Sequence, residues 1–213
     1  MPRPRVTLSY AQSLDGSLAA FSGRPLALSG PESLAFTHQL RSEHDAILIG
    51  IGTVLADNPR LTVRLVPGPD PQPIVLDTHL RFPLTAHLLQ HPRGVIIIAT
   101  TDQADSRRQA ELESAGVRVV RFPRDDSRSN GVHLPALLDW LGENGLNSLM
   151  VEGGSRVITS FLQAQLVNRI AITIAPCFVG GLHALTASCE ASLRNVMYRT
   201  SGADLIVEAD IVS

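Results

Sequence analysis

The sequence predicts an α/β protein built on a mixed, mostly parallel sheet flanked by helices, and three patterns carry that expectation. Strand-like and helix-like segments alternate over most of the chain. Residues 45–50 contain Ala46-Ile47-Leu48-Ile49, a short continuous apolar run of the kind shown by a strand buried on both faces. The tail over residues 193–211 alternates instead, as in Asp204-Leu205-Ile206-Val207-Glu208, which suits an antiparallel finish. With 213 residues and no internal repeat or long linker, the chain is expected to form one domain over residues 1–213.

Taken in order, the first strand is expected over residues 6–10. Residues 31–43 read as a helix: Ser29 or Gly30 can cap it, Pro31 suits the first turn, and Leu34, Phe36 and Leu40 supply apolar positions. After the strand at 45–50, a short helix over 53–57 stops before Asn58-Pro59, where the pre-proline restriction disfavours helix. Residues 66–73 hold four prolines and read as a loop. Strands follow at 74–77 and 95–99, then a helix at 106–115 with Gly116 as its stop signal, then a strand at 117–122. A polar loop over 124–131 precedes an amphipathic helix at 134–143. A strand at 149–152, a helix at 155–163 and a strand at 170–176 make a second β–α–β passage.

Composition narrows the chemistry. Apolar residues make up 44%, charged residues 18%, and the net charge is −2. That excludes a disordered chain and argues against a general nucleic-acid binder. No stretch reaches the roughly 18 apolar residues of a membrane span, and no signal-peptide pattern opens the chain, so a cytoplasmic protein is expected. All 18 basic residues are arginine. The absence of lysine removes Schiff-base aldolases, pyridoxal-phosphate enzymes and Walker-type hydrolases. Any anionic group must be held by Arg forks, backbone N–H groups or helix N-termini. Cys177 and Cys189 match no metal spacing and read as buried or idle thiols. His87 and His91 are spaced like a helical metal pair, but no carboxylate completes a site and Pro92 follows, so no metal is expected. No Gly-x-Ser-x-Gly elbow occurs.

Three places could carry chemistry. In Leu149-Met150-Val151-Glu152-Gly153-Gly154-Ser155, a buried strand ends in a carboxylate, two glycines allow close backbone approach, and a helix begins at once. That geometry suits a dinucleotide diphosphate, although the third glycine of the dinucleotide fingerprint is missing. If the diphosphate lies against the backbone there, a side chain at Gly154 is expected either to clash or to forbid a required positive φ; a glycine turn needed only for packing is the alternative. Ser13-Leu14-Asp15-Gly16 is by itself ordinary turn chemistry. Gly50-Ile51-Gly52-Thr53 again sits at a strand–helix junction and could admit a ribose or a nicotinamide. Arg41 and Arg64 are candidate phosphate forks, with surface solvation as the alternative.

Together these residues resemble a family. The order Ala11-Gln12-Ser13-Leu14-Asp15-Gly16, Leu28-Ser29-Gly30-Pro31-Glu32-Ser33, the run from Leu40-Arg41 to Gly50, the run from Gly52-Thr53 to Arg64, and Val151-Glu152-Gly153-Gly154 is similar to the reductase of riboflavin biosynthesis. That family forms the carboxy-terminal half of the bacterial bifunctional deaminase–reductase and the free-standing reductase of archaea and fungi. The resemblance implies a dihydrofolate-reductase-like fold, a homodimer, and NADPH-dependent reduction of the ribosylamino side chain of a pyrimidine phosphate to ribitylamino. It implies that Ala11, Thr53, Asp57, Thr78 and the turn holding Gly154, Ser155, Arg156 and Val157 face NADPH. It implies that Arg41, Leu61, Arg64 and Glu152 face the substrate, with Glu152 and Asp15 as catalytic candidates. His79 and Arg81, beyond Thr78, offer a cation for the adenosine 2′-phosphate.

The chain also departs from parts of that pattern. Pro25 and Ala27 stand where some bacterial members carry Ser and Trp. The zinc-deaminase pattern, His-x-Glu with Pro-Cys-x-x-Cys, is absent, so no deamination is expected. The Leu28–Ser33 stretch looks more like the free-standing kind, which acts on the diaminopyrimidinone, although the aminouracil stays open. The competing readings are a related reductase of another pterin or pyrimidine, and a non-catalytic NADPH-binding protein.

Overall fold

The computed structural model describes residues 2–24, 26–125 and 131–212. Strands β1 (Arg5–Ser13) and β2 (Ser17–Ala19) come first, then α1 (Pro31–Ser42), β3 (Ala46–Gly50), α2 (Ile51–Asp57) and β4 (Gln72–Leu76). A 3-10 turn (His87–Gln90) leads to β5 (Ile97–Thr101), α3 (Ser106–Ser114), β6 (Arg118–Phe122), β7 (Arg124–Asp125) and β8 (Gly131–Val132). The remaining elements are α4 (Leu134–Glu143), β9 (Ser148–Val151), α5 (Ser155–Gln163), β10 (Arg169–Ala175), β11 (Leu182–His183), β12 (Ser192–Ser201) and β13 (Asp204–Val212).

Among the described residues, nine strands form one sheet in the order β12-β13-β10-β1-β9-β3-β4-β5-β6. From β10 to β6 all neighbours run parallel. β13 lies antiparallel to β10, and β12 antiparallel to β13. Parallel neighbours need helical crossovers, and the helices cover both faces. Leu137, Leu138 and Leu141 of α4, with Ile158 and Phe161 of α5, pack on Leu8, Leu48, Leu149 and Val151. On the other face Leu40, Ile51, Val54 and Leu112 pack on Ile47, Ile49, Val75 and Met150. This is the expected mixed, mostly parallel sheet with an antiparallel finish.

Local chemistry explains the helix ends. Gly30 offers α1 no side-chain cap. Instead Asp204, the first residue of β13, accepts the Gly30 N–H at 2.8 Å and the Ser33 hydroxyl. Asp105 caps α3 by accepting the Arg108 N–H at 2.7 Å, and Gly116 ends it at φ 86°.

Several boundaries differ from expectation. β5 starts at Ile97, leaving Val95 exposed, and runs on through buried Thr100 and Thr101. The Thr100 hydroxyl is satisfied by donating to the Thr78 carbonyl at 3.2 Å. β1 continues to Ser13 because β10 pairs with it to the Ser13–Ala175 register. Arg124 and Asp125 belong to a small hairpin with Gly131 and Val132, while positions 126–130 of the expected polar loop lie outside the described residues, as does Pro25. His87 opens a 3-10 turn, so it and His91 do not form a helical pair. No cluster of metal-ligating side chains occurs among the described residues. The two thiols are unpaired, but neither is buried: Cys177 is exposed and Cys189 partly so. Among the described residues no helix is long and apolar enough to cross a membrane.

Candidate active site

β9 is short, and that places the site. It lies between β1 and β3 and ends at Val151, level with Leu8 and Leu48, while its neighbours run on to Ser13 and Gly50. A crevice therefore opens at the carboxyl ends of the strands, over the turn Glu152-Gly153-Gly154, where α/β sheets bind ligands. The Glu152 N–H donates to Leu48 O at 2.9 Å and anchors the turn.

Glu152 is paired. Arg41 donates from Nε to Oε2 at 2.9 Å and from Nη2 to Oε1 at 2.6 Å, and its Nη1 donates to the Thr62 carbonyl at 3.2 Å. The guanidinium is buried and the carboxylate about one quarter exposed. Burial alone would lower Arg41, but the Glu152 charge and hydrogen bonding together outweigh it and hold Arg41 above its ordinary value. The expectation of Arg41 as a free phosphate fork is thereby corrected, because the fork grips Glu152. Arg64 remains exposed, with no hydrogen bond or ion pair of its guanidinium among the described residues.

Leu61 needs a further correction. Its side chain is 2% exposed and belongs to the core beside Leu40, so only its main chain can face a ligand. Val157 is also a packing residue. A Cβ on Gly153 would lie 2.6 Å from Val157 Cβ, and one on Gly50 would lie 2.9 Å from Val157 Cγ2. These two glycines let α5 approach β3. Gly154 differs: its φ is −72°, and a Cβ there would meet only Thr53 Oγ1, at 3.7 Å. The positive φ expected at Gly154 does not exist, and only a ligand against the backbone would exclude a side chain there. As the N-cap residue it supplies no side-chain cap to α5, so the first-turn amides of Ser155 and Arg156 are open to a ligand.

Ala11 lies half-buried on β1 beside Thr173, Thr53 and Asp57 lie on α2, and Thr78 follows β4. His79 and Arg81 are exposed just beyond. Asp77, between β4 and Thr78, is fully buried, and burial pushes its carboxyl up.

Asp15 is fully engaged. Oδ1 accepts from Ser13 Oγ at 2.6 Å and the Val179 N–H at 2.9 Å; Oδ2 accepts from Ser17 Oγ at 2.7 Å and the Gly180 N–H at 2.8 Å. These bonds hold its carboxyl far below the usual carboxylate range. The Asp-Gly turn thus clamps the loop after β10 over the end of β1.

One residue escaped sequence reasoning. His38, one helical turn before Arg41, is fully buried, and its Nδ1 accepts the Arg64 N–H at 3.0 Å. Burial, with the Arg41 and Arg64 cations, pushes it down to about 4 against weaker pulls from Glu152 and Asp70. Its i, i+3 spacing from Arg41 was the available signal.

Known proteins are similar to this chain in sequence and in fold. The RibD C-terminal domain model matches residues 4–207. The 2,5-diamino-6-ribosylamino-4(3H)-pyrimidinone 5′-phosphate reductase of Methanothermobacter thermautotrophicus is 38% identical, covering 97% of each chain. Its namesake in Archaeoglobus fulgidus is also 38% identical, over 84% of this chain and 83% of that protein. Against the riboflavin biosynthesis protein RibD of Aquifex aeolicus, 38% identical, the chain spans about half (48%) of the relative's length. Among solved structures, the yeast riboflavin biosynthesis reductase Rib7 superposes with a TM-score of 0.79 at 32% identity, covering 99% of this chain and 90% of that one. Dihydrofolate reductase from Enterococcus faecalis, solved with NADP(H), gives a TM-score of 0.55 at 12% identity, covering 98% and 97%, so the fold is dihydrofolate-reductase-like. The match over nearly the whole length, with relatives above one third identical, means that this chain belongs to the RibD C-terminal domain family.

Proposed function

We propose that the chain is a pyrimidine reductase of riboflavin biosynthesis, using NADPH to reduce the ribosylamino side chain of a pyrimidine 5′-phosphate to ribitylamino. The observation that carries this reading is the turn after β9, which brings together the Arg41–Glu152 pair and the open glycine Gly154 beside Thr53. Arg41 also holds the Thr62 carbonyl, two residues before the exposed Arg64. The names of the archaeal relatives favour the diaminopyrimidinone as substrate over the aminouracil.

The residues present fit a dinucleotide. Gly154 leaves room that the fold itself does not use, and the uncapped start of α5 supplies amides for a diphosphate. Ser155 and Arg156 would sit at that diphosphate, with Val157 holding α5 in place. Ala11, Thr53 and Asp57 would line the nicotinamide end. Thr78, His79 and Arg81 would meet the adenosine 2′-phosphate. When bound, the cofactor supplies a hydride to C1′ of the ring-opened ribosylamine, whose imine nitrogen takes up a proton.

The chain's own residues position the reactants. Arg41 fixes the Glu152 carboxylate, which keeps lone pairs for a pyrimidine amino group or a ribose hydroxyl. Arg64 holds the substrate phosphate, since no lysine exists to do so. Leu61 contributes through its main chain only. Asp15, saturated by four donors, is a positioning residue and not a proton carrier. The partner is a second copy of the chain, and the compartment the cytoplasm.

The test is NADPH oxidation followed by absorbance, with the diaminopyrimidinone and aminouracil phosphates in parallel. Turnover of either establishes the reaction, and the ratio of kcat/KM assigns the substrate. Stoichiometric NADPH binding with no turnover on either would mark a nucleotide-binding protein instead.

A further inference from the structure

Three consecutive main-chain groups after α2 are each held by a side chain from elsewhere. The Thr62 carbonyl accepts from Arg41 Nη1 at 3.2 Å, the Val63 N–H donates to Asp70 Oδ1, and the Arg64 N–H donates to His38 Nδ1 at 3.0 Å. Just before them Leu61 sits at φ 55°, a left-handed conformation that leucine rarely adopts and that its surroundings must impose. The segment's shape is therefore dictated by its neighbours, and α1 supplies two of the three ties. Arg64 is where the segment turns its side chain outward, into solvent.

His38 is the costly member of this set. To accept at Nδ1 the neutral ring must carry its hydrogen on Nε2, and Nε2 is buried without a partner. An orphaned buried donor destabilises, so an apolar side chain would serve packing better here. What an apolar side chain cannot do is accept the Arg64 N–H. Burial first, and then the Arg41 and Arg64 cations, oppose a charge on the ring and keep Nδ1 available as an acceptor.

We propose that His38 is a positioning residue for substrate phosphate: by accepting the Arg64 N–H it sets the direction in which Arg64 leaves the loop. The role rests on the reading of Arg64 as the phosphate clamp. His38 itself touches neither the substrate nor the reacting atoms.

The test compares the phosphorylated substrate with its dephosphorylated form in four variants. His38→Leu should raise KM for the phosphorylated compound about tenfold, with kcat and the NADPH Kd held to about twofold. Discrimination between the two compounds should shrink with it. His38→Asn, whose Oδ1 can stand near the place of Nδ1, should recover most of the loss. In an Arg64→Ala background, His38→Leu should add nothing, since both changes remove one contact. Independent effects, or kcat and NADPH affinity falling with KM, would overturn the role. If Arg64→Ala shrinks discrimination and His38→Leu does not, only the His38 role fails. If Arg64→Ala leaves discrimination intact, the clamp fails and this role with it. Imidazole ¹⁵N shifts of the wild-type protein give a check independent of whether any variant folds. The neutral Nε2–H tautomer is expected for His38, and the Nδ1–H tautomer refutes the proposal.

Discussion

A Cβ on Gly153 would collide with Val157, whereas one on Gly154 would make only ordinary contact with Thr53 Oγ1. Gly154→Val should therefore weaken NADPH binding at least about tenfold if the diphosphate lies there. Its cost to the fold should be no more than an N-cap penalty of about 1 kcal/mol, a fall in Tm of roughly 2–4 °C. Fluorescence titration against thermal melting separates the two, and equal losses would count against a ligand role. Arg64→Ala should raise KM for the phosphorylated substrate roughly thirtyfold, the scale for losing one partner of a desolvated charge pair, and leave the NADPH Kd nearly fixed. An unchanged preference for the phosphorylated compound would exclude Arg64 as the clamp. His38 also makes a statement about acid. Its folded value, about 4, lies below the ordinary histidine value of 6.5, so between those limits the unfolded chain binds a proton that the native ring refuses. Native stability should then be intact above pH 6.5 and fall as the pH drops toward 4, by up to roughly 3 kcal/mol from this residue. His44 and His91 are also lowered by burial and act in the same direction. Denaturant midpoints across that range should show a shallower slope in His38→Asn, and identical slopes would refute the assignment. Glu152 and Gly154 were legible in the sequence because a strand, an acid, two glycines and a helix start follow one another directly. His38 was not, because its one local signal, the i, i+3 spacing from Arg41, does not reveal that it accepts a main-chain N–H 26 positions away. Arg41 was found but misread, since its partner lies 111 positions away.

Helix α5 occupies the predicted residues 155–163 and α4 the predicted 134–143, because caps and apolar spacing are local. The missed elements are those whose partners are remote. β2 and β11 are three and two residues long and pair with each other across most of the chain, so neither carries a strand pattern of its own. Their link to the site is Asp15. Its carboxylate, with Ser17 Oγ accepting the Gly181 N–H at 3.1 Å, ties the main chain of residues 179–181 to the turn after β1. Asp15→Asn should release that loop. Hydrogen exchange should accelerate at the Val179 and Gly180 amides, and kcat/KM should fall. A positioning role predicts that the pH dependence of kcat is retained, whereas loss of one limb of the profile would make Asp15 a proton carrier.

At the scale of the whole molecule, the helices that cover the sheet leave its β12 edge bare. β12 is exposed along nearly its whole length, and Leu193, Val196, Met197 and Tyr198 are all exposed on it, Tyr198 by 68%. A long apolar edge strand invites pairing with another chain unless something blunts it. The bulge between Arg194 and Met197, with Asn195 at φ 52°, interrupts the ladder but leaves the apolar side chains outward. A ten-residue strand extends roughly 33 Å, long enough to anchor the ~800 Å² per partner of an ordinary interface when joined by its neighbours. If the chain forms the proposed homodimer, this edge is where the second copy would pair. The crevice over β9 lies several strands away in the sheet order, so assembly and cofactor binding should separate. Met197→Glu combined with Tyr198→Glu should convert the dimer to monomer in sedimentation velocity, while NADPH affinity changes by less than about twofold. A wild-type protein that sediments as a monomer at every concentration removes the homodimer. A dimer that persists in the doubly charged variant moves the interface off β12.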